Sequence, residues 1–261
     1  MKQSKRLIFK LRSLSKIYGE TEAVNIGKLD IHPGTVYGII GGVGSGKTTL
    51  LSLLSGYLQP TNGLLEYEDK PYQKNWLGKI KKNEDVFFAG KTGFSSKISV
   101  SNIISNHFGK KKNVVEKRYF NKNNFRNIWS QDLDSLSPGE VQWLGMIMAI
   151  ESDPRVLIID NYGIYFEVGM ENTFRNQLIT MNRRLGTTIL LASPNEAHLK
   201  KFCSVLVYLD NGYISGVRSG LSRRIGKRRS SKKKIVGINI SISKYYIKIY
   251  YSGINSLPFF S

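Results

Sequence analysis

Eight consecutive residues, Gly41-Gly42-Val43-Gly44-Ser45-Gly46-Lys47-Thr48, set the chemistry available to this chain. They fit the pattern G-x-x-x-x-G-K-[ST]. Glycines let the backbone curl tightly with its N–H groups turned inward, where side chains would block the approach of phosphate oxygens. The Lys47 ammonium would neutralise the outer phosphates of a nucleoside triphosphate, the Thr48 hydroxyl is a candidate Mg²⁺ ligand, and Thr49 follows in the same turn. A carboxylate, Asp160, closes the apolar run Val156-Leu157-Ile158-Ile159 and could hold the same Mg²⁺ through water from the other side.

Such a loop works only if other elements hold it. The preceding run, Thr35 to Ile40, is apolar enough for a buried strand, and from Lys47 the leucines of KTTLLSLLSGYL recur at helical spacing. That helix would add its positive N-terminal end to the phosphate site, and QPTNG closes it. Upstream, Leu7, Phe9 and Leu11 alternate, a second strand-like run covers Ala23 to Ile31, and His32-Pro33-Gly34 turns into the buried strand. Residues 63 to 89 read as short strand-like and helical pieces. The Lys/Asn-rich stretch from Ser99 to Asp134, with Ile103, Ile104, Val114 and Val115, reads as a small helical subdomain spanning about 92 to 150. An apolar helix is expected after Ser137, a strand over 155 to 160, a helix over 167 to 185, then the strand TTILLA, a short helix after Asn195 and the strand SVLVYLD. Alternating β and α units predict an α/β fold with a mostly parallel sheet and right-handed crossovers. With the glycine loop between strand and helix, the expected fold resembles a P-loop NTPase core, with an antiparallel β subdomain and the helical subdomain added to it.

The composition, 261 residues with 41% hydrophobic content, is that of a folded globular protein. No run of about 18 apolar residues occurs and the N-terminal residues alternate, so the expected location is cytoplasmic. One cysteine, Cys203, excludes an intrachain disulfide and a thiolate metal cluster, and reads as a buried residue beside an apolar strand. The net charge of +20 is concentrated at one end: eleven Lys and Arg and no acidic residue follow Asp210, and the remainder balances 28 against 19. The expected division is therefore a domain over 1 to 216 and a basic tail over 217 to 261, whose segment IVGINISISKYYIKIYYSG alternates like a strand or hairpin. Such a block suits anionic lipid or an acidic partner. Nucleic acid is disfavoured, because stacking aromatics are not interleaved with its charges.

Over residues 7 to 216 the sequence resembles the ATP-binding-cassette (ABC) ATPase family. The residues that carry this are the phosphate loop with TTLLSLLSGYLQPTNG after it, LSPGEVQ (136–142), similar to an LSGGQ signature and placed about 20 residues before the RVLIID strand, and the closing VLVYLDNGYI. The resemblance implies an ATP-binding subunit of a transporter, with Mg²⁺, working with a separate membrane-spanning subunit at the inner face of the cell membrane. It also implies a head-to-tail dimer of cassettes. Tyr18 falls where that family stacks an aromatic on adenine, and Ser137, Gly139 and Glu140 belong to the signature that would face the partner's γ-phosphate.

Several positions depart from the family pattern. Pro138 replaces the first signature glycine and has no N–H to donate, though its fixed φ suits a helix start. Asn161 stands where the family has the glutamate that polarises the attacking water, and an amide cannot take that water's proton. Pro194 stands at the switch histidine; His198, one helical turn later, is displaced from that role. Gly90 aligns with a sensor glutamine and Glu167 with the aspartate of a dimer-contact loop. The expectation is ATP binding with weak or absent hydrolysis, in a mixed dimer with a competent cassette rather than a homodimer. The alternatives are a fully active transporter ATPase using another base, and a soluble cassette protein acting on nucleic acid or the ribosome through the tail.

Overall fold

The computed structural model describes residues 6–81, 83–89, 97–121, 123–166, 168–220, 242–243 and 246–247. The first half contains β1 (Phe9–Tyr18), β2 (Thr21–Ile31), β3 (Val36–Ile40), α1 (Lys47–Leu54), β4 (Asn62–Tyr67), β5 (Lys70–Pro71) and β6 (Val86–Ala89). Then follow α2 (Val100–Phe108), α3 (Lys112–Tyr119), α4 (Pro138–Ser152), β7 (Val156–Ile159), α5 (Val168–Leu185), β8 (Thr188–Ser193), α6 (Glu196–Lys200), β9 (Val205–Asp210) and β10 (Tyr213–Ser219). The tail contributes β11 (Ile242–Ser243) and β12 (Tyr246–Ile247). Between residues 63 and 89, where helical pieces are expected, the described residues form strands and turns only.

The central sheet has the order β10-β9-β3-β8-β7-β6, with every neighbouring pair parallel except β10 on β9. Its middle strands are apolar throughout because both faces are covered. Period two then divides the side chains. Val36, Ile40, Leu157, Ile159, Ile189 and Leu191 enter one core with the helical segments, while Tyr37, Ile39, Val156, Ile158, Leu190 and Ala192 enter the other with α1 and the second sheet. That second sheet is antiparallel, in the order β2-β1-β4-β5. It covers α1 through Phe9, Leu11, Val24 and Ile26, all buried.

The helical subdomain is held on one side by apolar packing and on the other by a buried charge. Val100, Ile103, Ile104, Val115, Phe120 and Trp143 share a core. At the end of α4 the Glu151 carboxylate, only 3% exposed, takes Lys111 at 2.9 Å, a close contact from Arg118, and the Tyr119 hydroxyl at 2.9 Å. Burial alone would raise the Glu151 pKa; the Lys111 hydrogen bond and the Arg118 charge overcome it and hold the group below its ordinary value.

Contacts divide the chain into two compact units, residues 1–224 and 225–261. In the first, β10 pairs with β9 as far as Ser219 opposite Val205. In the second, β11 and β12 pair antiparallel, with Ile242 opposite Ile247. Among the described residues no helix is long and apolar enough to cross a membrane.

Candidate nucleotide site

The chain leaves β3 at Ile40, turns through residues 41 to 46, and starts α1 at Lys47. The turn is possible because its glycines lack Cβ atoms. A Cβ on Gly41 would stand 2.4 Å from the Leu209 carbonyl oxygen, and one on Gly46, where φ is 94°, would stand 2.4 Å from the Ala23 carbonyl oxygen. Cβ atoms at Gly42 and Gly44 would meet nothing within 4 Å, and Val43 at the tip is fully exposed, so the outer rim of the loop is open. Gly46 also serves as N-cap of α1 without a side-chain bond, which leaves the first N–H groups of that helix for another acceptor.

Lys47 is buried and folded into the loop, with Nζ donating to the carbonyls of Gly41 at 2.8 Å and Gly42 at 2.6 Å and to Ser45 Oγ at 3.2 Å. Burial pulls its pKa below the ordinary lysine value, opposed by the charge of Asp160. The Thr48 hydroxyl donates to Asp160 Oδ2 at 2.5 Å, joining the start of α1 to the end of β7. Two hard oxygens converging beside a lysine and an open loop are a donor set that fits Mg²⁺, which asks for one or two protein oxygens and takes the rest from phosphates and water.

After Asp160 the chain bends sharply. Asn161 has φ 54°, in the left-handed region that asparagine tolerates. Its N–H donates to Asp160 Oδ1 at 2.9 Å, and its residue is exposed. Tyr162 is fully buried, with its hydroxyl on Glu171 at 3.2 Å; burial and the Glu171 charge push its pKa far up. Next, Gly163 has φ 80°, and a Cβ there would stand 2.7 Å from His198 Nδ1, so His198 packs against the loop that carries Asn161. Pro194 is exposed between β8 and the N-cap of α6, Asn195, whose side chain takes the Ala197 N–H at 2.9 Å. It presents no polar side chain.

The LSPGE segment forms a capping box at the start of α4. The Ser137 N–H and hydroxyl both reach Glu140 Oε2 at 2.7 Å, the Glu140 N–H returns to Ser137 Oγ at 3.4 Å, and Pro138 occupies the first helical position. Gly139 lies under Tyr165: a Cβ on it would be 3.3 Å from the Tyr165 carbonyl oxygen. Tyr18 ends β1, is 46% exposed, and has Lys16 Nζ 5.2 Å from its ring centroid. The structure thus brings Gly41 through Thr49 together with Asp160 and Asn161. The side-chain hydrogen bonds of Ser137 and Glu140 are with each other, and Gly90 and Glu167 lie outside the described residues.

One participant had no role assigned from sequence. Gln142, one turn into α4, donates through Nε2 to the Asn161 carbonyl at 2.9 Å and to the Asp160 carbonyl at 3.4 Å. It sits inside the quoted LSPGEVQ, and its position one turn past the cap was the available signal.

Comparison with known proteins agrees with this geometry. A family profile described as ABC transporter matches residues 24–162, from β2 through the turn after Asp160. The chain belongs to the ABC transporter family. It carries that family's ATP-binding domain. Among similar curated proteins, the methionine import ATP-binding protein MetN of Chlamydia pneumoniae is 27% identical over 79% of this chain and 64% of its own length. The tungstate uptake system ATP-binding protein TupC of Peptoclostridium acidaminophilum is 27% identical over 77% of this chain and 94% of its own. The chain therefore spans less than two thirds of that MetN. Of solved structures, cbiO1 from Clostridium perfringens, part of a transporter complex, aligns with TM-score 0.65 at 20% identity over 84% of this chain and 90% of its own. The bacterial ABC transporter cassette MJ0796 aligns with TM-score 0.68 at 17% identity over 81% of this chain and 98% of its own. Both share the cassette fold.

Proposed function

We propose that this chain is the ATP-binding subunit of an import-type ABC transporter that binds Mg-ATP and hydrolyses it slowly or not at all. Membership of the family and the printed functions of MetN and TupC support the first part. The observation that carries the second is the pairing of an intact Lys47, Thr48 and Asp160 cluster with an amide, Asn161, next along the chain. Mg²⁺, held by Thr48 and Asp160, would supply charge neutralisation at the phosphates. Lys47 would exchange its loop carbonyls for phosphate oxygens, and the free N–H groups at the start of α1 would point at the same anion. In hydrolysis a water oxygen bonds to the γ-phosphorus, the bond to the bridging oxygen breaks, and the water loses a proton. The Asn161 carboxamide can orient that water but cannot accept the proton, and Pro194 offers no donor to the developing charge.

The chain is assigned a separate membrane-spanning subunit as partner and a place at the cytoplasmic face of the membrane. Pairing with a second, competent cassette is favoured over self-pairing, since Ser137 and Gly139 here could complete a partner's site whose own base is present. The deciding experiment measures ATP binding and phosphate release on the purified chain beside Lys47→Ala. Tight magnesium-dependent binding, lost in Lys47→Ala, with negligible release supports the reading. Absence of ATP affinity rejects it, and robust release rejects its non-catalytic part.

A further inference from the structure

Among the described residues outside the nucleotide site, the most exposed large apolar side chain on a structured turn is Trp76, 91% exposed, with Leu77 beside it at 58%. They form the tip of a hairpin over residues 73–81. Its arms are joined by the bridge between Lys74 and Ile80 and by the Lys81 N–H on the Gln73 carbonyl at 2.7 Å. Asn75 fixes the tip: its side-chain oxygen takes the N–H groups of Leu77 at 3.0 Å and Lys79 at 2.9 Å, while its carbonyl takes the Gly78 N–H at 2.9 Å. The hairpin is also tied to the end of α1. Gln59 Nε2 donates to the Gly78 carbonyl at 2.6 Å, and the Tyr72 hydroxyl donates to the Leu54 carbonyl. This is a built projection, not a loose loop.

Its charge is one-sided. Lys70, Lys74, Lys79 and Lys81 are all exposed, and the sequence from 70 to 82 contains no acidic residue. Acids flank this stretch at its base rather than at its tip: Glu68, paired with Arg6 and Arg155, and Asp69 precede it, and Glu84 and Asp85 follow it. An indole and an aliphatic side chain at the apex, ringed by lysines that can keep their ammonium groups in water, match the boundary of a bilayer bearing anionic headgroups. The apex carries one aromatic ring, Trp76, rather than a series of stacking faces for successive bases, which argues against single-stranded nucleic acid.

We propose that the 73–81 hairpin inserts Trp76 and Leu77 into the headgroup region of an anionic lipid surface, with Lys74, Lys79 and Lys81 on the phosphates. The contact is independent of nucleotide, so its failure leaves the ATP reading untouched.

The chain supplies its own reporter. Of its three tryptophans, Trp143 is buried and Trp129 half-buried, and the tail has none. Intrinsic fluorescence of the full chain is followed on phosphatidylcholine vesicles with and without phosphatidylglycerol, the lipids brominated along the acyl chain. A blue shift and quenching on the anionic vesicles, absent on phosphatidylcholine alone and absent in Trp76→Phe, is the expected result. Changing Lys74, Lys79 and Lys81 together to Gln weakens the binding read by Trp76 quenching on the order of a hundredfold, at about fivefold for each charge. Vesicle binding without a change in Trp76 emission, as the basic tail alone would give, overturns the proposal. So does equal quenching on neutral vesicles, or a Trp76 response to single-stranded RNA or to an apolar helix seated in the adjoining cleft of about 520 Å³ beside Tyr57 and Leu77, with none to lipid.

Discussion

Replacing Asn161 with Glu tests the catalytic reasoning because its two consequences have opposite signs. The gain is a carboxylate beside Asp160: general-base assistance supplies roughly 10²- to 10⁴-fold, so phosphate release should rise by about that factor if the missing base alone limits turnover. The cost follows from the backbone. Asn161 sits at φ 54°, which asparagine accepts more readily than glutamate, and the substitution should destabilise the fold by about 1 kcal/mol, lowering Tm by roughly 2–4 °C. The assay is steady-state phosphate release with ATP affinity measured in parallel, so that lost binding is separated from changed chemistry. A glutamate near its ordinary pKa of about 4.3 is ionised at neutral pH, and the added activity should fade as pH drops toward that value. If Pro194 also limits, Asn161→Glu with Pro194→His should exceed the single change. The reasoning fails if both variants bind ATP and neither releases phosphate faster than the parent, or if the parent already matches them.

Four further outcomes are expected. Gly41→Ala would bring a Cβ to 2.4 Å from the Leu209 carbonyl oxygen, so it should lose ATP binding and stability together, by calorimetry and thermal melting. Glu151→Gln should destabilise the helical subdomain by about 1–3 kcal/mol in urea unfolding. Because the folded Glu151 pKa lies below the unfolded one, its contribution is complete above the unfolded value and disappears as pH falls through the folded value, so parent and variant should converge in acid. Cys203, fully buried with its thiol pKa pushed far up by desolvation, should resist thiol reagents until denaturant is added, then react as one equivalent. Removing residues 225–261, beyond the pairing of Ser219 with Val205, should leave nucleotide affinity unchanged by titration calorimetry.

The strand, glycine loop and helix around Lys47 were legible because each depends on local pattern: an all-apolar run for β3, leucines at helical spacing for α1, glycines where the turn needs them. Asp160 was legible from the apolar run it ends, and Ser137 from the serine and glutamate three residues apart that make a capping box. What escaped depends on distance along the chain. Gln142 reaches residues nearly twenty positions away, and His198 meets Gly163 across two elements; neither contact leaves a periodic trace. The 73–81 hairpin was obscure for a different reason. Its bonds come mainly from the Asn75 side chain and a short backbone ladder around one bridge, too few for a strand signal.

The Gln142 amide ties one helix to one turn. Its grip on the backbone oxygens of Asp160 and Asn161 fixes how far α4 can swivel before those bonds stretch. A displacement of α4 relative to this turn would have to break those two bonds or carry the turn's backbone with it. Gln142→Ala would remove both bonds and leave apolar packing to join α4 to that turn.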